Sequence, residues 1–169
     1  MSSMITKFSS IPESLIDYIF VSTISIIKDN NKPKTSQKLP KLIDFIRKII
    51  NDLEIPIITL TISLIYIHRF KLQLPKNYKT ENDTPHKIFI SSILIASKYI
   101  DDKPLTSGKV AMAIDNNLWT IKEINRMERA FLSYIQWNLV INKDDLESYL
   151  NELRNQKIDL KSYLYAKQQ

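Results

Sequence analysis

The stretch that most limits how this chain can fold is HKIFISSILIASKYI, residues 86–100. Ile88, Phe89, Ile90, Ile93, Leu94, Ile95, Ala96, Tyr99 and Ile100 leave a helix here almost no face for water. Such a helix has to run through the middle of a bundle. Thr84 offers an N-cap oxygen, and Pro85 suits the first helical position, where its missing N–H costs nothing. The only charge in the second half is Lys98, one turn beyond Leu94 and Ile95. A cation in that setting needs a partner or a route to solvent.

The rest of the chain reads as helices around that one. A single glycine, Gly108, and no runs of alternating β-branched residues argue against sheets with tight hairpins, so the class is all-α. Residues 12–28 carry Leu15, Ile16, Ile19, Phe20, Thr23, Ile26 and Ile27 at helical spacing. Residues 28–39 are polar and read as a linker. Helices are expected over 40–53, from Pro56 to about residue 72, over 86–100, and briefly over 106–114. Thr120 with Glu123 three residues on is a capping box, opening a helix to about Gln136. Residues 143–154 and 158–166 are further helical candidates. The expected organisation is an N-terminal helix and linker over 1–38, a main body over 39–141, and a C-terminal helical extension over 142–169.

Several kinds of chemistry are excluded. Without cysteine there is no disulfide, thiolate catalysis or Cys-based zinc site. One glycine rules out a Gly-rich phosphate loop. His68 and His86 have no third histidine and no HExxH, so neither a metal site nor a histidine relay is expected; His68 reads as a surface residue and His86 as a packing one. The chain is not expected to be an enzyme or to hold a cofactor. The net charge is +6, but Lys28, Lys32, Lys34, Lys38 and Lys41, then Arg69, Lys71, Lys76 and Lys79, fall at or beside presumed loops and read as solvated surface. No signal peptide is expected at MSSMITKF, and the apolar run over 55–67 is too short and too interrupted to span a membrane. A soluble, intracellular protein, in nucleus or cytoplasm, is the expectation.

Glu128 is the counterpart of Lys98. Ile124 and Leu132 lie a turn away, Ile121 and Ile135 about two, and Phe131 three residues on, while Lys122, Arg126, Arg129, Ser133 and Gln136 hold the wet side. A carboxylate left unpaired there costs several kcal/mol. Either Lys98 and Glu128 pair inside the fold, or both edge an apolar groove that receives a partner helix. Periodicity alone leaves both open.

The segments TPHKIFISSILIASKYIDD and INRMERAFLSYIQWNLVI, with LPKLIDFIRKII and TLTISLIYIHRFKLQLP ahead of them in order, resemble a cyclin box, that of fungal PCL-type (P/U-type) cyclins. The resemblance covers about residues 39–141. It implies a five-helix box around the helix at about 85–100. It further implies a regulatory subunit that forms a heterodimer with a fungal cyclin-dependent kinase, holds the kinase's PSTAIRE-type helix in its active position, and contributes to the choice of protein substrates. Lys98 and Glu128 match the family's polar pair that holds backbone groups of that helix. Tyr99, Leu132, Trp137 and Leu139 match apolar positions packed against it. Asp101, Asp102 or Asp115 could offer a carboxylate to an activation-loop arginine in place of a phosphate. The His-Trp-Ala piece common in the subfamily and an MRAIL-like docking sequence are both absent, and no second box fits. Two alternatives stand beside this reading: a nucleic-acid-binding, TFIIB-type cyclin-like module, and a plain helical scaffold. Thr84-Pro85 has the form of a site for a proline-directed kinase, although a helix cap is reason enough for it.

Overall fold

The helix Thr84–Ile100 is buried from Thr84 to Ser97 save for Lys87, and four other helices pack against it. A computed structural model of the chain describes residues 11–27, 39–114 and 117–165, excepting the side chains of Ser162 and Tyr165. Among these residues the elements are α1 (Glu13–Ile24), α2 (Leu42–Asp52), α3 (Ile57–Gln73), α4 (Thr84–Ile100), α5 (Ser107–Ala113), α6 (Ile121–Tyr134), α7 (Lys143–Asn155) and α8 (Lys161–Tyr165), with no strand. Most of the linker expected over 28–39, with its lysines, lies outside the described residues.

α4 packs most extensively on α3 and α6, with α1 and α2 on its remaining sides, while α5 packs on α6 and α2. The pattern behind each contact is plain. On α2, Leu42, Phe45, Ile46, Ile49 and Ile50 are buried, a 3.6-residue stripe turned inward. α3 is buried almost all round, so its hydroxyls need partners, and two find them within the helix. Thr61 donates to the Ile57 carbonyl at 2.9 Å and Ser63 to that of Leu60 at 2.6 Å. Ser91 and Ser92 on α4 do the same with Lys87 and Phe89, both at 2.8 Å. Buried hydroxyls are tolerated on these terms. No described helix is long and apolar enough to cross a membrane.

α1 and the C-terminal helices join the same core as α2 and α4. Leu15, Ile16 and Ile19 from α1 cluster with Phe45, Ile49, Phe89 and Ile93, and so do Leu150, Leu153, Ile158 and Leu160. His86 packs as expected: it is buried, its ring stands edge-on to Phe45 at 5.0 Å, and Nε2 lies 2.7 Å from the Pro40 carbonyl.

Four local expectations are corrected. Thr84 does not cap α4: Asp83 is the N-cap residue, and the Thr84 hydroxyl accepts from the Glu81 N–H at 2.8 Å while its own N–H donates to the Glu81 carbonyl at 3.1 Å. That reciprocal closure of the preceding turn consumes the hydroxyl. α1 ends at Ile24, not at 28, because Thr23 and Ser25 turn their hydroxyls onto the carbonyls of Ile19, Phe20 and Ser22 and compete with the helix ladder. Ile121 is exposed in the first turn of α6, outside the stripe formed by Ile124, Glu128 and Phe131. Arg69 is no loop cation: it sits within α3 and its side chain is only 17% exposed.

Candidate functional site

The last turn of α4 and the middle of α6 meet at a single polar contact. Lys98 Nζ donates to both oxygens of Glu128, at 2.7 and 2.9 Å. The pair is asymmetric: the lysine side chain is 47% exposed and the carboxylate 11%. The two residues therefore pair, and the pair opens to solvent on one side. Local rules put them there. Lys98 is placed in the last helical turn, where a cation suits the dipole. The capping box of Thr120 and Glu123, with Glu123 N donating to Thr120 Oγ1 at 3.1 Å, starts α6 in the register that turns Glu128 inward.

Past α6 the chain reverses in a Schellman turn. Trp137 N–H donates to the Leu132 carbonyl at 2.9 Å and Gln136 N–H to that of Ser133 at 3.0 Å, with Gln136 and Trp137 both left-handed at φ 54° and 55°. Trp137 is left 64% exposed and Val140 72%, and Tyr99 and Ile100 are exposed at the end of α4. The segment carrying them is pinned from below by α3. Arg69 donates to the carbonyls of Asn138 and Val140 at 2.8 and 3.0 Å, and the Tyr66 hydroxyl donates to that of Leu139 at 2.9 Å. Burial raises the Tyr66 pKa above its usual value, with Tyr99 adding to the rise and Arg69 opposing it, so the phenol keeps the proton it donates. From α4, Tyr99 Oη accepts from the Ile141 N–H at 3.1 Å.

Lys98 thus meets Glu128 directly, Tyr99 beside it bonds the backbone of the segment after α6, and Tyr66 and Arg69 hold that same segment, on which Trp137 is exposed and Leu139 half-buried. Leu132 is buried with Phe131 and Ile135. Tyr66 and Arg69 are the residues that sequence reasoning missed. Their one signal is i, i+3 spacing on the apolar helix α3, which does not say what they hold. Among the three acidic candidates, Asp101 faces inward: its carboxylate accepts from Thr59 Oγ1 at 3.1 and 3.3 Å and from Ser97 Oγ at 2.8 Å. Asp102 is exposed beside it, and Asp115 lies outside the described residues.

Comparison with known proteins identifies the family. The family model of the cyclin N-terminal domain matches residues 15–140. Three similar proteins come from Saccharomyces cerevisiae. PHO85 cyclin-9 is 30% identical over 138 residues, covering 80% of this chain and 45% of that protein. PHO85 cyclin-2 is 27% identical over 145 residues, covering 84% and 47%. PHO85 cyclin-1 is 26% identical over 146 residues, covering 82% and 52%. The chain thus spans about half the length of these relatives. With a matching domain over most of its length and an all-helical bundle around a buried central helix, this chain belongs to the cyclin family.

Proposed function

We propose that this chain is a non-enzymatic regulatory subunit that binds a fungal cyclin-dependent kinase of the PSTAIRE type; that its relatives are named PHO85 cyclins supports the cyclin role. The observation that carries the reading is the half-open Lys98–Glu128 pair beside an exposed apolar rim. Two of the three ammonium protons are used within the pair, and each carboxylate oxygen keeps a lone pair. A donor and an acceptor therefore stand side by side, the ammonium fit for a free carbonyl at a helix C-terminus and the carboxylate for a free N–H in the adjoining turn, without the pair having to break. Tyr99, Trp137 and Leu139 supply the apolar contact, with Leu132 supporting them. A kinase of this kind is switched on when its αC helix brings a glutamate to the β3 lysine. A rigid outer surface that fits only the inward position of αC shifts the equilibrium toward it by its differential affinity.

The box over 39–141 carries this contact, with 1–38 and 142–169 as flanking segments, and the chain contributes to the choice of protein substrate. For the activation segment, Asp102 and Asp115 are the carboxylates offered to an arginine; Asp101 shapes the turn that presents Asp102. The nucleus, the cytoplasm or both are the proposed place of action.

Phosphotransfer by a purified PSTAIRE-type fungal kinase, with and without this chain, tests the reading. Wild type should activate. Lys98→Glu and Glu128→Gln should remain folded by circular dichroism, losing about 1–2 kcal/mol of stability because the lysine is half exposed. Both should lose most of the activation. Folded variants that activate like wild type would remove the pair from the interface. Unfolding of both, with no kinase bound by wild type, would support the helical scaffold instead.

A further inference from the structure

Between Tyr134, where α6 ends, and Lys143, where α7 begins, the chain crosses without a helix. Three consecutive carbonyls of this crossing, those of Asn138, Leu139 and Val140, are taken by two side chains of α3. Arg69 uses two nitrogens of one guanidinium, Nη1 on Asn138 and Nη2 on Val140. Tyr66, one turn earlier and fully buried, bonds the carbonyl between them, and its ring centroid lies 5.9 Å from the guanidinium carbon. Nη2 also lies 3.8 Å from Asp145 in the first turn of α7, a partly exposed pair that adds little. The Arg69 side chain is 17% exposed, so it serves the protein's own backbone and offers little surface to a partner. The same crossing carries the two most exposed apolar side chains of the rim, Trp137 and Val140.

A backbone segment outside helix and sheet keeps one shape only while its polar groups are held. We infer that Arg69 is a positioning residue for the kinase contact: it fixes the backbone from which Trp137 and Val140 project, so the rim has its binding shape before the kinase arrives. The inference rests on the kinase reading above. Fixing the rim in advance removes an ordering cost from association, which is how preorganisation raises affinity. The chemistry calls for arginine. Two carbonyls two residues apart are met by two arms of one rigid plane, with Tyr66 bracing the carbonyl between them. A lysine ammonium is a point donor on a flexible stem and would leave one of the two carbonyls without its bond.

Titration of the full chain against a purified PSTAIRE-type fungal kinase tests it, with the half-activating concentration read apart from the rate at saturation. Arg69→Met keeps the apolar stem and removes the donors. It should raise the half-activating concentration about tenfold and leave the saturated rate unchanged, with Arg69→Lys between it and wild type. On a Trp137→Ala background the same change should cost about threefold at most, because the group it positions is gone. Rim mobility is read without kinase. In Trp119→Phe, where Trp137 is the one tryptophan left, Arg69→Met should enlarge the fast component of the fluorescence anisotropy decay. Circular dichroism checks that each variant folds. Should Arg69→Met not fold, Tyr66→Phe, which removes only the bond to the Leu139 carbonyl, should raise the half-activating concentration about threefold, and no rise there would overturn the proposal. So would a folded Arg69→Met that activates at the wild-type concentration, equal losses with and without Trp137, or an unchanged anisotropy decay. A wild type that activates no such kinase, with the decay still faster in Arg69→Met, would instead fail the kinase reading and leave Arg69 as the residue that fixes the rim.

Discussion

At the scale of single residues, His86 ties stability to pH. Its imidazole is buried against Phe45, with Nε2 on the Pro40 carbonyl and Nδ1 without a partner among the described residues. Burial lowers its pKa below the ordinary 6.5, against smaller opposing effects from the Pro40 bond and Asp83. Protonation would place an unpaired N–H in the core, so the folded state resists it. The unfolded chain takes up that proton as pH falls through about 6.5, and the folded chain does so only at lower pH. His86 therefore contributes its full stability above about 6.5 and loses it progressively as pH falls toward the lowered folded value. Urea midpoints of wild type should drop between pH 7.5 and 5.5 more steeply than those of His86→Gln; parallel slopes would show that the ring is not responsible. The same scale shows where sequence reading succeeds and stops. Lys98 and Glu128 stood out because each is a charge in an apolar stripe, and burial makes that costly. Arg69 carried no such mark, because its job is to hold carbonyls some 70 residues along the chain, at Asn138 and Val140.

At the scale of elements, the scarcity of glycine leaves strain at three helix ends. α2, α6 and α7 all close with a Schellman turn. In each, an N–H reaches back to the carbonyl five residues earlier: Ile55 to Ile50 at 3.1 Å, Trp137 to Leu132 at 2.9 Å, Ile158 to Leu153 at 2.9 Å. The left-handed residue such a turn requires is usually glycine. Here it is Glu54, Gln136 and Lys157, at φ 48°, 54° and 63°. A side chain in that region costs about 1–2 kcal/mol, and glycine returns part of the gain through its freedom in the unfolded chain. Glu54→Gly, Gln136→Gly and Lys157→Gly should each stabilise by a few tenths to about 1 kcal/mol, read as a higher denaturant midpoint at unchanged m-value. A lower midpoint in all three would mean the strain is relieved elsewhere. Such turns are hard to foresee without glycine to announce them. Ile55 and Ile158, each buried beside its turn, are the partial clue.

At the scale of the whole molecule, α1 and the C-terminal helices share the core of the central helices. Leu150, Leu153, Ile158 and Leu160 are each at most 5% exposed and share one cluster with α2 and α4. Burying each contributes about 1.5–3 kcal/mol, so together they rival the whole net stability of a domain this size. A chain ending at residue 141 should lose its cooperative thermal transition and its near-ultraviolet dichroism. If it instead melted at the temperature of the full chain, the C-terminal helices would be dispensable to the core. By itself the sequence determined the all-helical class, the central helix, the registers of α2 and α6, and the two charges that had to be accounted for. All of these follow from local periodicity and from the cost of burying polar groups. Tertiary structure decided that Lys98 and Glu128 meet half in solvent, that Asp101 turns inward to Thr59 and Ser97, and that Tyr66 and Arg69 hold the turn presenting Trp137. Each of those depends on which distant segments come within hydrogen-bond reach, and spacing along one chain does not encode that.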